Sequence, residues 1–517
     1  MKKILFILLA AFALESCDFL DEQSKTQIPL DAYFNNEEEA MLFLYGAYYQ
    51  VRNTVFGTDF MYLTDTMTDN IDYSSTNVDR KAVTYLTLNP SNSIVKSIWG
   101  KLYTVIEQCN ILIDKLEKNP DLSPANSDNI IAEAKFYRAW AYFQLVQLWG
   151  EVPLVTVPVY SVKEDNIRPA RSSLDAVYSL LISDMEWVTT IVEEEPSVIT
   201  VTSGVGYPLT VSRAAAKTLL AQMYLVRKEY MNVISTLDLF ADGTTLNENY
   251  GLCSQYNYIF DTRYKEVEER KKEVLMEINA QAEDKFNNTW HREVAPSELK
   301  GASGETIQGA TSGYQSYTPS YDLFSSYDTN DMRYRQTYQI TSANKPHFLK
   351  GYDIVALNQN LAGPNFIMLR TADAYLMLAE AYNELGAPDK AVFFLNIVRQ
   401  RALLSGLDAS LGHDDLADAI LQERRWEFAG EGAYRLYDLR RTGRYIDVMT
   451  AFTARVQEMS NEEMKQSFVN PQDGKKTPEL DVPFIKLSKN AQPKHLLLPI
   501  PADERIANPN LTQNPGW

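Results

Sequence analysis

The chain has 517 residues, 45% of them apolar, with 68 Asp and Glu against 49 Lys and Arg and a formal charge of −19. Phosphate backbones are held by clustered Lys and Arg, so an acidic balance of this size argues against nucleic acid as a partner and against electrostatic attachment to a membrane. The apolar content is ample for a large core, and the length sets a prior of two or three domains.

Lys2 and Lys3 precede an unbroken apolar run over residues 4–14, followed by Glu15, Ser16 and Cys17. As a helix that run extends roughly 16 Å, well short of the roughly 30 Å hydrocarbon core, so it is too short to span a membrane. A basic start, a short apolar stretch and a small residue before the cut predict a secretory signal peptide over residues 1–16. Cys17 resembles the lipidated cysteine of bacterial lipoproteins. Several acyl chains there, at about 0.8 kcal/mol per buried methylene, would anchor the mature chain. Ordinary cleavage near Ser16, leaving Cys17 a free thiol, is the other reading. Loss of Lys2, Lys3 and Glu15 removes a net +1 and leaves −20.

Residues 17–30 carry Asp18, Asp21 and Glu22 with little periodicity and read as a leash. Helices are predicted over 37–53, 94–117, 129–149 and 173–193, the last opened by Ser172 and Asp175 in a capping-box relation. Gly150 and Pro153 stop the third. Trp99 and Cys109 read as core residues of the second helix, while Cys253 falls in a loop. A disulfide between the two cysteines is open to an exported protein but is not predicted, because spacing says nothing of their distance. Residues 193–208 read as loop with a β-branched patch.

Residues 371–396 describe a helical hairpin. Tyr375, Leu378, Ala379 and Tyr382 form one apolar stripe, and Ala391, Phe394, Leu395 and Val398 form another. Between them Gly386 suits a helix end and Pro388 a first turn. Ala379 and Ala391 are twelve apart, as are Ala221 and Val233 in a second hairpin over 220–240, a spacing that resembles the tetratricopeptide repeat. A lone hairpin cannot bury its own apolar face, so stacked copies are expected. The predicted fold is mainly α: helical hairpins over about 37–240 and 369–442, a loop-rich irregular binding part over about 245–368, and a tail over 443–517 that wraps back on the scaffold.

Glu423, Glu427 and Glu431 are spaced to share a helical face, a pattern that could serve acid–base chemistry. Arg424, Arg425, Arg435, Arg440 and Arg441, with Asp438, are interleaved, and guanidinium neighbours keep carboxylates ionised, so a structural ion network is predicted. The four histidines are scattered, and no HExxH, GxSxG or P-loop occurs. Asp328, Asn330 and Asp331 suggest a calcium loop only until Arg333 falls on a ligand position and no Glu occupies the twelfth. No catalytic residue, metal or cofactor is expected.

Binding chemistry is better supplied. Residues 287–338 lose helical period and gather Trp290, Tyr314, Tyr317, Tyr321, Tyr327, Tyr334 and Tyr338 among Gly301, Gly304, Gly309 and Gly313. Aromatic rings stack on the apolar face of a pyranose while polar tips bond its hydroxyls, so Trp290, Tyr314 and Tyr317 are candidate ligand contacts. For any one ring, packing against the helices is the competing reading.

Four stretches, CDFLD after the leader, AEAKFYRAWAYFQLVQLWGEVPL, ERRWEFAGEGAYRLYDLRRTG and LLPIPADERIANPNLTQNPGW, together resemble the SusD/RagB family of Bacteroidetes outer-membrane nutrient-binding lipoproteins over residues 17–517. The resemblance implies a helical scaffold carrying a loop-rich part, a turn formed by Asp331 and Arg333, and no enzymatic activity. It also implies capture of an oligosaccharide at the cell surface and delivery to a SusC-type TonB-dependent transporter. In the starch-binding member of the family, ligand contacts come partly from the neighbourhood of residues 62–85, which implies Asp72, Tyr73 and Arg80 as further contacts. The RagB branch implies peptide as the alternative ligand, and a glycan-acting enzyme is the third reading.

Overall fold

Asn36 opens the scaffold: its side chain accepts from Glu39 N, and Glu37, Glu38 and Glu39 put negative charge at the positive end of α1 (Glu37–Val55). The computed structural model describes residues 34–517 except 74–75, 120–121, 161–166, 201–203, 281–288, 297–312, 341–344, 354–362, 460–466, 472, 478 and 480–488. The predicted leader, Cys17 and the leash lie outside the described residues, as do Gly301, Gly304 and Gly309.

After α1 come α2 (Thr58–Asp65), β1 (Ile71–Tyr73), α3 (Val78–Thr84), α4 (Ser93–Glu117), α5 (Pro124–Trp149) and α6 (Leu174–Ile191). The predicted start of α5 falls five residues late, because Pro124 suits a first turn that apolar periodicity cannot reveal. The cap of α6 is Ser173, which accepts from Ala176 N. Ser172 instead donates its backbone N–H to Val152 O at 2.9 Å. Gly150 ends α5 with φ +73. The β-branched patch folds into a hairpin of β2 (Val198–Thr200) and β3 (Gly206–Pro208), with Ile199 opposite Tyr207. Next are α7 (Arg213–Val226) and α8 (Tyr230–Thr236), the latter tightening into a 3-10 turn at Leu237, then the short pair β4 (Ala241–Asp242) and β5 (Thr245–Leu246).

The loop-rich stretch contains α9 (Glu268–Glu273), β6 (Val274–Ile278), α10 (His291–Val294), β7 (Tyr317–Pro319), α11 (Tyr321–Ser326), α12 (Met332–Thr337), and the pair β8 (Tyr338–Ile340) and β9 (Pro346–Phe348). It is closed by β10 (Phe366–Arg370), which runs antiparallel to β6 with Phe366 opposite Ile278. The hairpin of α13 (Thr371–Glu384) and α14 (Pro388–Arg401) follows. Gly386 has φ +72, Ala379 and Ala391 are fully buried, and the Tyr382 and Phe394 rings stack at 5.8 Å. Each such buried aromatic or leucine contributes about 1.5–3 kcal/mol. The helical series ends with α15 (His413–Phe428), α16 (Tyr434–Arg441) and α17 (Tyr445–Glu458).

Consecutive helices from α4 to α8 pack side by side, α1 lies on α4 and α5, and α13 rests on α7 and α8, so one apolar core runs through both hairpin series. Trp99 and Cys109 belong to that core, Trp99 meeting Trp149 edge to face at 5.2 Å. Cys253 sits in a separate small cluster with Tyr256 and Ile259, and both cysteines are free buried thiols.

The charged stretch is not one helix. Gly430 at φ +76 and Gly432 at φ +97 break it between α15 and α16, and Glu431 lies in the break. A φ this positive is open to glycine and strained for other residues. The ion network forms, but through different partners from those that helical spacing implies. Arg333, Arg370, Arg399 and Arg401, from other segments, hold Glu423, Glu427 and Glu431. Arg424 instead reaches Asp373 and Asp438, both at 2.8 Å, and Arg425 reaches Asp322 at 2.7 Å. Burial raises the Glu427 carboxyl, yet Arg401, Arg370 and Arg333 hold it well below the usual carboxylate range. Glu423 departs from the expectation, since burial outweighs Arg333 and Arg399 and leaves its carboxyl raised.

From residue 489 the chain returns to the end of α5. Leu498 N donates to Leu148 O at 2.8 Å and Trp149 Nε1 to Pro499 O at 3.0 Å. After α18 (Ala502–Ala507), Asn514 Nδ2 donates to Trp149 O at 2.8 Å and Trp517 Nε1 to Leu497 O at 3.0 Å.

Candidate functional site

Two stretches singled out separately, residues 62–85 and 287–338, lie against each other. β1 and β7 pair antiparallel, with Tyr73 opposite Tyr317 and Asp72 opposite Thr318. Beside this ladder Arg80, on α3, donates from Nη1 to Glu293 Oε1 of α10 at 2.9 Å. Glu293 Oε2 also accepts from Tyr62 Oη at 2.6 Å, and the Arg80 guanidinium lies 4.4 Å from the Tyr62 ring centre. The Tyr62 ring meets Tyr73 at 4.7 Å and Trp290 at 5.7 Å, and Trp290 meets Tyr317 at 4.3 Å, all edge to face. Such contacts contribute about 0.5–1.5 kcal/mol each beyond their burial.

The cluster continues through Phe324, Tyr327, Tyr334, Tyr338 and Phe348 as a second core. Of the residues proposed as contacts, Tyr73, Trp290 and Tyr317 are at most 5% exposed, so they form a packed floor and present no stacking face. The physical reason is strand alternation: successive side chains of β1 point to opposite sides, sending Ile71 and Tyr73 into the cluster and Asp72 away from it. Asp72 is half-buried. Burial raises its carboxyl while Lys489 opposes that shift. Tyr314 is 56% exposed, with the Arg292 guanidinium 4.8 Å above its ring and hydrogen-bonded to its hydroxyl. Among the described residues Arg292 has no carboxylate partner.

Two glycines let the backbone close on this floor. A Cβ on Gly313 would lie 2.3 Å from Ala295 O, and one on Gly351, at φ +72, would lie 2.9 Å from the Trp290 ring. Beneath the floor, burial pushes the Asp65 carboxyl up to about 7 despite bonds from Tyr317 Oη and Gly432 N. His291 and His347 are buried, which lowers each to about 4.

Tyr62, Arg292 and Glu293 escaped the sequence reading. Tyr62 sits in a helix whose period marks it only as apolar, and a lone Arg-Glu pair in WHREV has no spacing that signals a site. The signal available was adjacency to Trp290. Asp331 caps α12, its Oδ1 accepting from Arg333 N at 2.8 Å, and pairs with the Arg333 side chain, while Asp328 Oδ1 accepts from Asn330 N at 2.7 Å. The turn itself falls at Thr329 and Asn330, while Arg333, expected within it, lies in the first turn of α12. No group of three or more potential metal ligands occurs among the described residues.

A helical-hairpin scaffold carrying a loop-rich aromatic floor with an exposed tyrosine defines a binding protein. The SusD family model matches residues 222–517, and a model described as "Starch-binding associating with outer membrane" matches residues 18–225. The chain belongs to the SusD family, whose members bind rather than catalyse. It is 27% identical to SusD-like protein P25 of Formosa agariphila, an alignment covering 99% of this chain and 98% of that one. The fold is similar to a SusD homolog from Bacteroides thetaiotaomicron (TM-score 0.75, 20% identity, 96% of this chain and 100% of that one). It is also similar to surface glycan-binding protein A from the same organism in complex with laminarihexaose (TM-score 0.67, 19% identity, 92% of this chain and 99% of that one). No helix among the described residues is long and apolar enough to cross a membrane.

Proposed function

We propose that the chain is a lipid-anchored cell-surface protein of the outer membrane that captures an oligosaccharide and passes it to a SusC-type TonB-dependent transporter. Cys17 carries the lipid, and the ligand lies across Tyr314 and Arg292, with Arg80 at its edge and the Tyr62, Tyr73, Trp290 and Tyr317 floor beneath. The observation that carries the reading is Tyr314, an exposed ring braced by the Arg292 guanidinium, since an exposed aromatic ring is what stacking on a sugar requires. The match to a model described as starch-binding and the likeness to a surface glycan-binding protein in complex with laminarihexaose support saccharide over peptide.

The test is calorimetric titration of the mature chain with glycan and peptide pools. Saccharide binding that Tyr314→Ala abolishes supports the reading, and binding of peptide alone overturns it. Mass spectrometry of the native N-terminus checks Cys17, where an unmodified thiol would overturn the anchor. Co-purification of a large β-barrel checks the transporter.

A further inference from the structure

A recess of about 670 Å³, part of it open to solvent, lies between the 3-10 turn Tyr256–Ile259, α12 and residues 349–352. Its lining inverts the charge of the protein. Arg263, Arg335 and Lys350 face a single lining carboxylate, Asp261, in a chain whose formal charge is −19.

The three cations are not equally available. Lys350 donates to Tyr256 Oη at 2.9 Å, Glu427 O at 3.1 Å and Glu431 Oε1 at 2.7 Å, so its ammonium is saturated by the fold. Arg263 turns Nε and Nη2 onto Asp261 and is neutralised there. Arg335 is exposed, donates only to Thr329 O at 3.0 Å and Asn330 Oδ1 at 3.3 Å, and has no carboxylate partner among the described residues. A full positive charge with unspent N–H groups therefore stands at the rim.

Asn257 and Gln336 also line the recess, Asn257 N donating to Gln336 Oε1 at 3.0 Å. Phe260, half-buried, adds an apolar wall. At the back Tyr352 stacks on His291 at 5.3 Å, and His291 adjoins Trp290 and Arg292, so the recess borders the candidate site.

We propose that this recess is a second saccharide subsite that takes an acidic sugar, a unit bearing a carboxylate or a sulfate ester. Arg335 pairs with the anion, and Phe260 covers the ring. A planar guanidinium suits both anions, because each presents two oxygens to its paired N–H groups. The proposal rests on the saccharide reading above and adds the chemical class of the ligand.

The experiment titrates the full mature chain with a short oligogalacturonate, a sulfated oligosaccharide and a neutral gluco-oligosaccharide of similar length. One or both acidic ligands should bind more tightly than the neutral one, and added salt should weaken that preference. Arg335→Gln should weaken acidic binding by about tenfold or more and leave neutral binding unchanged, since a bond to a charged group is lost. Arg335 is exposed, so an unchanged melting temperature will show that its variant is folded. Neutral binding equal to acidic binding, or acidic affinity indifferent to Arg335→Gln, overturns the subsite and leaves the saccharide function standing. Failure of every saccharide overturns the function itself. The two acidic arms tell carboxylate from sulfate.

Discussion

Arg80 Nη1 donates to Glu293 Oε1 at 2.9 Å although 213 positions separate the two residues. This bond fastens α3, which follows the first strand, to α10 of the loop-rich stretch. Glu293 is the junction: its carboxylate also accepts from Tyr62 Oη and Ser316 Oγ, both buried.

Removing the charge at that junction should loosen the floor. Glu293→Gln keeps the shape but withdraws the anion from Arg80, and a bond to a charged group contributes about 1.5–3 kcal/mol. A drop of about 2 kcal/mol is expected in urea unfolding, with weakened saccharide binding. An unchanged midpoint would remove the link from the account.

The buried ion network should respond more steeply. Arg333, with no exposed side-chain surface, pairs with Asp331, Glu423 and Glu427. Arg333→Met leaves three carboxylates without that cation, a change of about 3–5 kcal/mol for a buried pair. Adding Glu423→Gln to Arg333→Met should recover part of the loss, which a double-mutant cycle by chemical denaturation will measure.

Two buried aspartates push the pH dependence in opposite directions. Burial raises Asp69, yet Arg425 and Arg435 hold it well below the ordinary carboxylate value. A depressed acid contributes stability that is present above its unfolded value, about 3.9, and lost as pH falls through its folded one. Asp65 is raised to about 7, so its contribution is present below the unfolded value and lost as pH rises through about 7. Asp65→Asn should therefore gain stability relative to the parent at mildly alkaline pH, while Asp69→Asn should flatten the loss in acid. Unfolding midpoints measured across the pH range check both, and a parallel offset at every pH would contradict either assignment.

The C-terminal segment offers a test at a single residue. Asn514 Nδ2 bonds the carbonyls of Trp149 and Leu498, while its Oδ1 accepts from Arg171 at 2.6 Å. Asn514→Ala leaves two buried carbonyls unpaired, a penalty of about 1–3 kcal/mol each. A clear fall in melting temperature is expected from calorimetry.

The helices could be read from sequence because their causes are local. Apolar residues recurring at helical spacing, Gly386 in the left-handed region and Pro388 in a first turn act within a few residues, so α13 and α14 were legible. The ends of α5 and α6 were less so, since Pro124 and Ser173 act through capping rather than period. Ion pairing in the charged stretch was legible as chemistry but not as partners: two glycines break the helix, and Arg333 and Arg370 arrive from elsewhere.

The candidate site divides along the same line. Composition marked residues 287–338 as an aromatic, polar stretch suited to binding, and the family resemblance pointed to residues 62–85. Only the folded chain paired β1 with β7, turning Tyr73 and Tyr317 inward and Asp72 away, and leaving Tyr314 beside Arg292 at the surface. Helical period depends on neighbours three and four residues apart. Which ring is floor and which is face depends on strand register between segments far apart in the chain, as in Asp72 and Thr318, paired across β1 and β7 and 246 positions from one another.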